Sequence, residues 1–142
     1  MIYTPKTKLA LKLCFAAHKE QTDKSGIPYV FHPFHLAEQM QSEETTIAAL
    51  LHDVVEDTEY TLQDLAAMGF DPVVIDALAL LTHDDDTPYM DYVARIKENP
   101  VAKAVKLADL AHNSDLSRMD TVDEKVMERY RNYQEAIALL KG

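Results

Sequence analysis

Apolar residues recur at steps of three and four along most of the chain, the period of helices that bury one face. Leu9, Leu13 and Ala17 mark a first helix that starts at Thr4-Pro5, a cap followed by a first helical residue, and runs to about Gln21. After a polar break over Thr22 to Pro28, Pro33 can start a short helix carrying His35, Leu36 and Met40. Ser42 caps a central helix with Glu43 and Glu44 in its first turn. That helix is apolar on most sides from Ile47 to Leu51, the pattern of a buried element, and continues in register through Glu56 and Asp57. Thr61 and Gly69 bracket another helix, and Asp71-Pro72 opens one through Val74, Leu78 and Leu81. Thr87-Pro88 opens a helix with Tyr89, Val93 and Ile96 on one face, and Asn99-Pro100 one through Val105 and Ala108. Thr121 to Glu124 has capping-box spacing before a last stripe of Val122, Val126, Tyr130, Tyr133, Ile137 and Leu140. Strand alternation, repeats and long linkers are absent. The pattern predicts an all-α bundle of about eight helices, forming one domain over residues 1–142.

Charge narrows the partners. The net charge of −10 disfavours a nucleic-acid groove and an anionic membrane surface, while a few local cations suffice for a small phosphorylated substrate. The N-terminus has no apolar secretion segment, and no apolar run approaches the ~20 residues of a membrane span. Cys14 lies in an apolar run and reads as a core residue; one cysteine cannot form an internal disulfide, which suits a reducing cytoplasm. Bundles of this size often pair through an exposed apolar helix face, so a homodimer is compatible with the pattern.

The chemistry concentrates in His52-Asp53-Val54-Val55-Glu56-Asp57, one histidine and three acids at the end of an apolar helix. A buried acid is costly unless it is paired, hydrogen-bonded or bound to a metal. On an unbroken helix His52 and Glu56 share a face, as do Asp53 and Asp57. The stretch reads either as a metal corner with proton-handling acids one turn on, or as a solvated helix end. Other polar positions stand out: His32 before Pro33, Lys24-Ser25-Gly26, and Lys106 to Asn113, where Asp109, His112 and Asn113 share a face. His112 reads as packing beside such a site, and His35, His83 and Asp84 to Asp86 as structural or exposed. Tyr89, Tyr92, Tyr130 and Tyr133 read as core or interface residues.

Lys24 to Tyr29, His32-Pro33, Ala48 to Thr58 and Lys106 to Asn113 together resemble, in order, the hydrolase domain of the RelA/SpoT proteins, part of the HD phosphohydrolase superfamily. The likeness covers the chain from about His18 to Arg118. It implies an HD-type helical bundle with metal ligands His32, His52, Asp53 and Asp109, and with Mn²⁺ or another divalent ion as cofactor. It implies that Glu56 and Asp57 orient water and move protons, and that a metal-activated water removes the 3′-pyrophosphate of guanosine tetra- or pentaphosphate. By the same resemblance Lys24, Ser25 and Asn113 line the nucleotide pocket, Lys106 sits near the ligand or binds acids just outside the metal-ligand set, and His18 stands at the pocket edge. The rim departs from the family: Asp23 and Leu110 stand where it carries basic residues, and Asp115 and Leu116 where it often has a basic residue and a threonine. An acid at Asp23 is expected to repel phosphates, which keeps the 2′-phosphate of NADPH or a nucleoside monophosphate open as substrates. A non-catalytic nucleotide-binding HD module is the remaining alternative, but every ligand and both acids are present. With no room for a synthetase domain, the chain resembles the stand-alone small alarmone hydrolases.

Overall fold

The computed structural model describes residues 1–142. The helices are α1 (Pro5–His18), α2 (Phe31–Glu38), α3 (Glu43–Leu51), α4 (Val54–Asp57), α5 (Leu62–Ala67), α6 (Pro72–Leu81), α7 (Tyr89–Ile96), α8 (Pro100–Asn113) and α9 (Glu124–Lys141). A 3-10 turn at Leu116–Arg118 joins α8 to α9. The architecture is all-α, and the eight expected helices become nine segments because the central one is divided into α3 and α4.

Local chemistry sets most of the helix starts. Thr4 and Thr7 cap each other reciprocally at α1, as Thr61 and Asp64 do at α5. Ser42 accepts from the Thr45 N–H and Asn99 from the Ala102 N–H, so α3 and α8 begin at their expected caps. Gly69, at φ 97°, lets the chain turn left-handed after α5. Two starts differ from expectation. The second helix begins at Phe31, two residues early, with Pro33 in its first turn, where a missing N–H costs nothing. The last helix is capped by Asp123, which accepts from the Val126 N–H at 2.9 Å, not by Thr121. Val122 therefore lies outside the helix and is exposed rather than part of the apolar stripe.

The hub is α3. Every residue from Thr46 to Leu51 is buried, and the helix packs against α1, α2, α6 and α8. Burying Leu50 and Leu51 completely contributes about 1.5–3 kcal/mol each before conformational costs. Contacts of α2 and α3 with α8 bring His32, His52 and Asp109 to one place from three distant stretches of chain. Between α1 and α2, Thr22 and Pro28 form an isolated antiparallel bridge, and Gly26 (φ 81°) turns the loop that carries Lys24.

Candidate metal centre

The helix that leads into the site stops where the chemistry begins. The His52 Nδ1 lies 2.7 Å from the Ala49 carbonyl oxygen, the group an unbroken helix would offer to the Asp53 N–H. Asp53 adopts φ −107° and ψ 0°, in the sparsely used bridge region, and the chain then re-enters the short helix α4. The four acidic and imidazole groups expected on one continuous helix are thus split between two segments, and the 52/56 face-sharing inferred from helical spacing does not carry over.

With Nδ1–H donating to Ala49, neutral His52 keeps its lone pair on Nε2. That nitrogen is buried and has no hydrogen-bond partner, although it lies 3.0 Å from Asp53 Oδ2 and 3.8 Å from Asp109 Oδ1. Ligand atoms of His32, His52 and Asp109 all lie within 4.8 Å of one another, and all three residues are buried. Asp53 stands at the rim of this cluster, with Oδ2 also accepting a hydrogen bond from the Tyr29 hydroxyl. Two imidazoles and two carboxylates without thiolate form a donor set suited to a divalent ion. The orphaned Nε2 facing two carboxylates fits that requirement.

The surrounding groups fix these donors. Asp109 Oδ1 accepts from Asn113 Nδ2 at 3.0 Å and lies 2.8 Å from His32 Nε2. Its Oδ2 receives Lys106 Nζ at 3.0 Å, and that ammonium also lies 5.2 Å from the Tyr92 ring centroid. Burial alone would raise the Asp109 carboxyl, but the Lys106 charge and the His32 hydrogen bond hold it well below the usual carboxylate range. Burial would lower His52, yet the Asp53 and Asp109 charges raise it to about 9, so the field at Nε2 favours positive charge. His32 Nδ1 lies 2.7 Å from His112 Nδ1, which makes His112 a partner of His32. Glu56 and Asp57 are both raised, first by burial and then by the Asp53 charge. Glu56 Oε1 accepts from the His83 N–H at 3.1 Å, which turns the carboxyl toward the loop after α6.

Beside the cluster lies a cavity of about 310 Å³ bounded by Lys24, Tyr29, Asn113, Arg129 and Tyr133 among others. Lys24 and Asn113 are among its lining residues. Ser25 does not: its hydroxyl donates to the Arg118 carbonyl at 3.0 Å and ties the loop to the α8–α9 connection. His18 is buried behind Tyr29, with ring centroids 5.0 Å apart and Nδ1 2.8 Å from Gln21 Oε1. Lys106 does not line the cavity; it pairs with Asp109, one of the expected ligands and not an acid outside that set. Asp23 does not stand bare toward a phosphate. Its Oδ1 accepts from the Ser25 and Ile27 N–H groups at 2.9 and 3.0 Å, and its Oδ2 lies 3.5 Å from Arg118 Nη2. Arg118, Arg129 and Tyr133 were not singled out as site residues from sequence. Arg129 and Tyr133 sit four apart on α9, the one signal that marks a shared face.

Residues 10–83 match the model of the HD domain. The chain belongs to the HD-domain family. It is 33% identical over 147 aligned residues to guanosine-3′,5′-bis(diphosphate) 3′-pyrophosphohydrolase MESH1 of Mus musculus, covering 90% of this chain and 82% of that protein. It is 35% identical over 113 residues to the bifunctional (p)ppGpp synthase/hydrolase SpoT of Escherichia coli, covering 68% of this chain and 16% of SpoT. The chain spans less than a fifth of such long bacterial relatives, 18% in Mycobacterium leprae and 13% in Streptomyces coelicolor. Among solved structures, a metazoan ortholog of SpoT that hydrolyses ppGpp superposes with a TM-score of 0.77 at 26% identity, over all of this chain and 89% of that one. The HD bundle expected from sequence is therefore the fold of the chain.

Proposed function

We propose that this HD protein is a metal-dependent hydrolase that removes the 3′-pyrophosphate of guanosine tetra- or pentaphosphate, with His32, His52, Asp53 and Asp109 holding a divalent cation, Mn²⁺ by donor chemistry. The observation that carries the reading is the orphaned His52 Nε2, buried against two carboxylates beside the Lys24–Arg129 cavity, in a chain similar along nearly its whole length to MESH1. A cation bound there supplies Lewis acidity and lowers the pKa of water.

The remaining roles fall to the protein. Lys24 and Arg129 enter no ion pair within the chain, so their charges are free for phosphate oxygens. Tyr29 and Tyr133 offer aromatic surface to a base, and Asn113 presents its amide at the junction of cavity and cluster. Lys106 and Asn113 keep Asp109 ionised and oriented. Glu56 and Asp57, with raised carboxyl pKa values, can hold a proton longer than ordinary acids and deliver it to the leaving oxygen. A nucleotide substrate and a single buried, unpaired Cys14 support a cytoplasmic setting for that activity.

The test is a substrate panel on metal-stripped protein reloaded with Mn²⁺, following pyrophosphate and phosphate release separately. Pyrophosphate from guanosine tetraphosphate is the expected result. Phosphate from NADPH or a monophosphate, with the tetraphosphate untouched, would overturn the substrate while keeping the metal chemistry. No turnover with metal bound would move the protein to the binding-module reading.

A further inference from the structure

We propose that the groove between α1 and the start of α2 is a docking surface for an acidic, amphipathic peptide segment of a partner protein. The groove encloses about 510 Å³ and is walled by Leu11, Phe15, Val30, Phe31 and Phe34 over a floor that includes Cys14. Phe15 is 60% exposed and Phe31 58%, one on each wall, so two phenyl rings face water around a concavity that no other part of the chain covers. An apolar concavity of this kind marks an interaction site in a soluble protein.

The rim says what would cover it. Lys8, Lys12, Phe15 and Lys19 follow one another along α1 and its C-cap at spacings of four, three and four, which aligns them as one stripe. The three lysines are exposed and enter no ion pair. Residues 1–19 contain four lysines and no acid, in a chain with 24 acids against 14 lysines and arginines. A positive stripe set into a protein of the opposite sign attracts an acidic partner and fixes its register. The stripe runs for about 16 Å, three helical turns, which a peptide spans and a small carboxylate does not. A helix laying Leu or Phe anchors into the groove, with Glu or Asp toward the lysines, satisfies both features.

Other occupants fit worse. Two copies joined about a two-fold axis through α1 would bring Lys8, Lys12 and Lys19 against lysines of the other copy. A bilayer is flat where this surface is concave, and the net charge of −10 opposes an anionic one.

The experiment pans a displayed library of random peptides of about twelve residues on the immobilised full chain, then titrates labelled, selected peptides by fluorescence anisotropy. Selected sequences should be rich in Asp and Glu, with Leu, Phe or Trp at helical spacing. Their affinity should fall about tenfold or more in Phe15→Ser and in the Lys12→Glu/Lys19→Glu double variant, the loss expected for an anchor residue. Both variants change exposed side chains outside the metal site, so metal-dependent hydrolysis should persist and report an intact fold. Peptides without acidic bias, or peptides that bind the variants as tightly as the wild type, would overturn the proposal. So would binding to phosphatidylcholine vesicles doped with phosphatidylglycerol, or self-association in light scattering that Phe15→Ser abolishes.

Discussion

Replacing Asp109 with asparagine in metal-stripped protein isolates one charge in the core of the site. Asparagine keeps the volume and one acceptor oxygen for His32 and Asn113, but leaves Lys106 without the carboxylate 3.0 Å from its Nζ. The Lys106 side chain is only 13% exposed, so its ammonium has little water to turn to. Breaking a buried pair costs about 3–5 kcal/mol, and the lower end applies because packing is retained. For a domain near this size, ~3 kcal/mol corresponds to a fall in Tm of ~6–12 °C. Adding Lys106→Met should recover most of the loss, since removing both charges of a buried pair is often neutral. The assay is urea unfolding followed by circular dichroism, in chelator, on the wild type, both single variants and the double variant. The coupling energy from that cycle should reach about 2 kcal/mol. Acid supplies an independent check. The folded-state pKa of Asp109 lies below its unfolded value, so its contribution is present above about pH 4 and lost as pH falls toward the folded pKa. The wild type should therefore lose more stability on acidification than the Asp109→Asn variant. A loss under about 1 kcal/mol, or a double variant no more stable than Asp109→Asn, would refute the claim that the Lys106 charge is committed to Asp109.

Asp53→Ala should abolish Mn²⁺-dependent hydrolysis, and full activity with metal still bound would remove Asp53 from the ligand set. Glu56→Ala should leave metal content largely intact in elemental analysis while slowing turnover by about 10²–10⁴; loss of the metal would make Glu56 a ligand instead. Cys14 is 1% exposed and burial pushes its thiol up to about 12, so Ellman's reagent should react with it only in denaturant; rapid labelling of the native protein would contradict the packing of α1. Leu50→Ala should destabilise by about 2–5 kcal/mol in urea unfolding, because α3 is enclosed on every side; a cost near zero would mean that α3 is not the hub.

Features set by neighbouring residues were legible in the chain. Thr4, Ser42, Thr61 and Asn99 begin their helices because a cap needs only residues two or three positions away. The bundle followed from periodicity, and the meeting of His32, His52 and Asp109 from the resemblance to the RelA/SpoT hydrolase domain, not from spacing. What escaped depends on distant partners. The interruption at Asp53 arises from an imidazole hydrogen bond to Ala49, and helical spacing contains no sign of it. Asp23 looked like a bare acid because Arg118, whose Nη2 lies 3.5 Å from its Oδ2, is 95 residues away in the chain. Tyr133 has the spacing of a core residue, and only the position of α9 over the cavity gives it a second face to present.

The interruption after Leu51 also divides the site mechanically. His52 is bonded to the end of α3, in which every residue from Thr46 to Leu51 is buried, so its ring is held by densely packed backbone of the kind that opens at high cost. Glu56 and Asp57 ride on a four-residue helix whose only buried side chain is Val54. Segments with so few enclosed contacts open at a fraction of the global cost. On the proposed reading, the imidazole of His52 is thus held by enclosed backbone, and the two acids assigned to proton transfer sit on a less enclosed segment. In that mechanism Glu56 and Asp57 would follow the shifting geometry of a departing phosphate while His52 stays fixed.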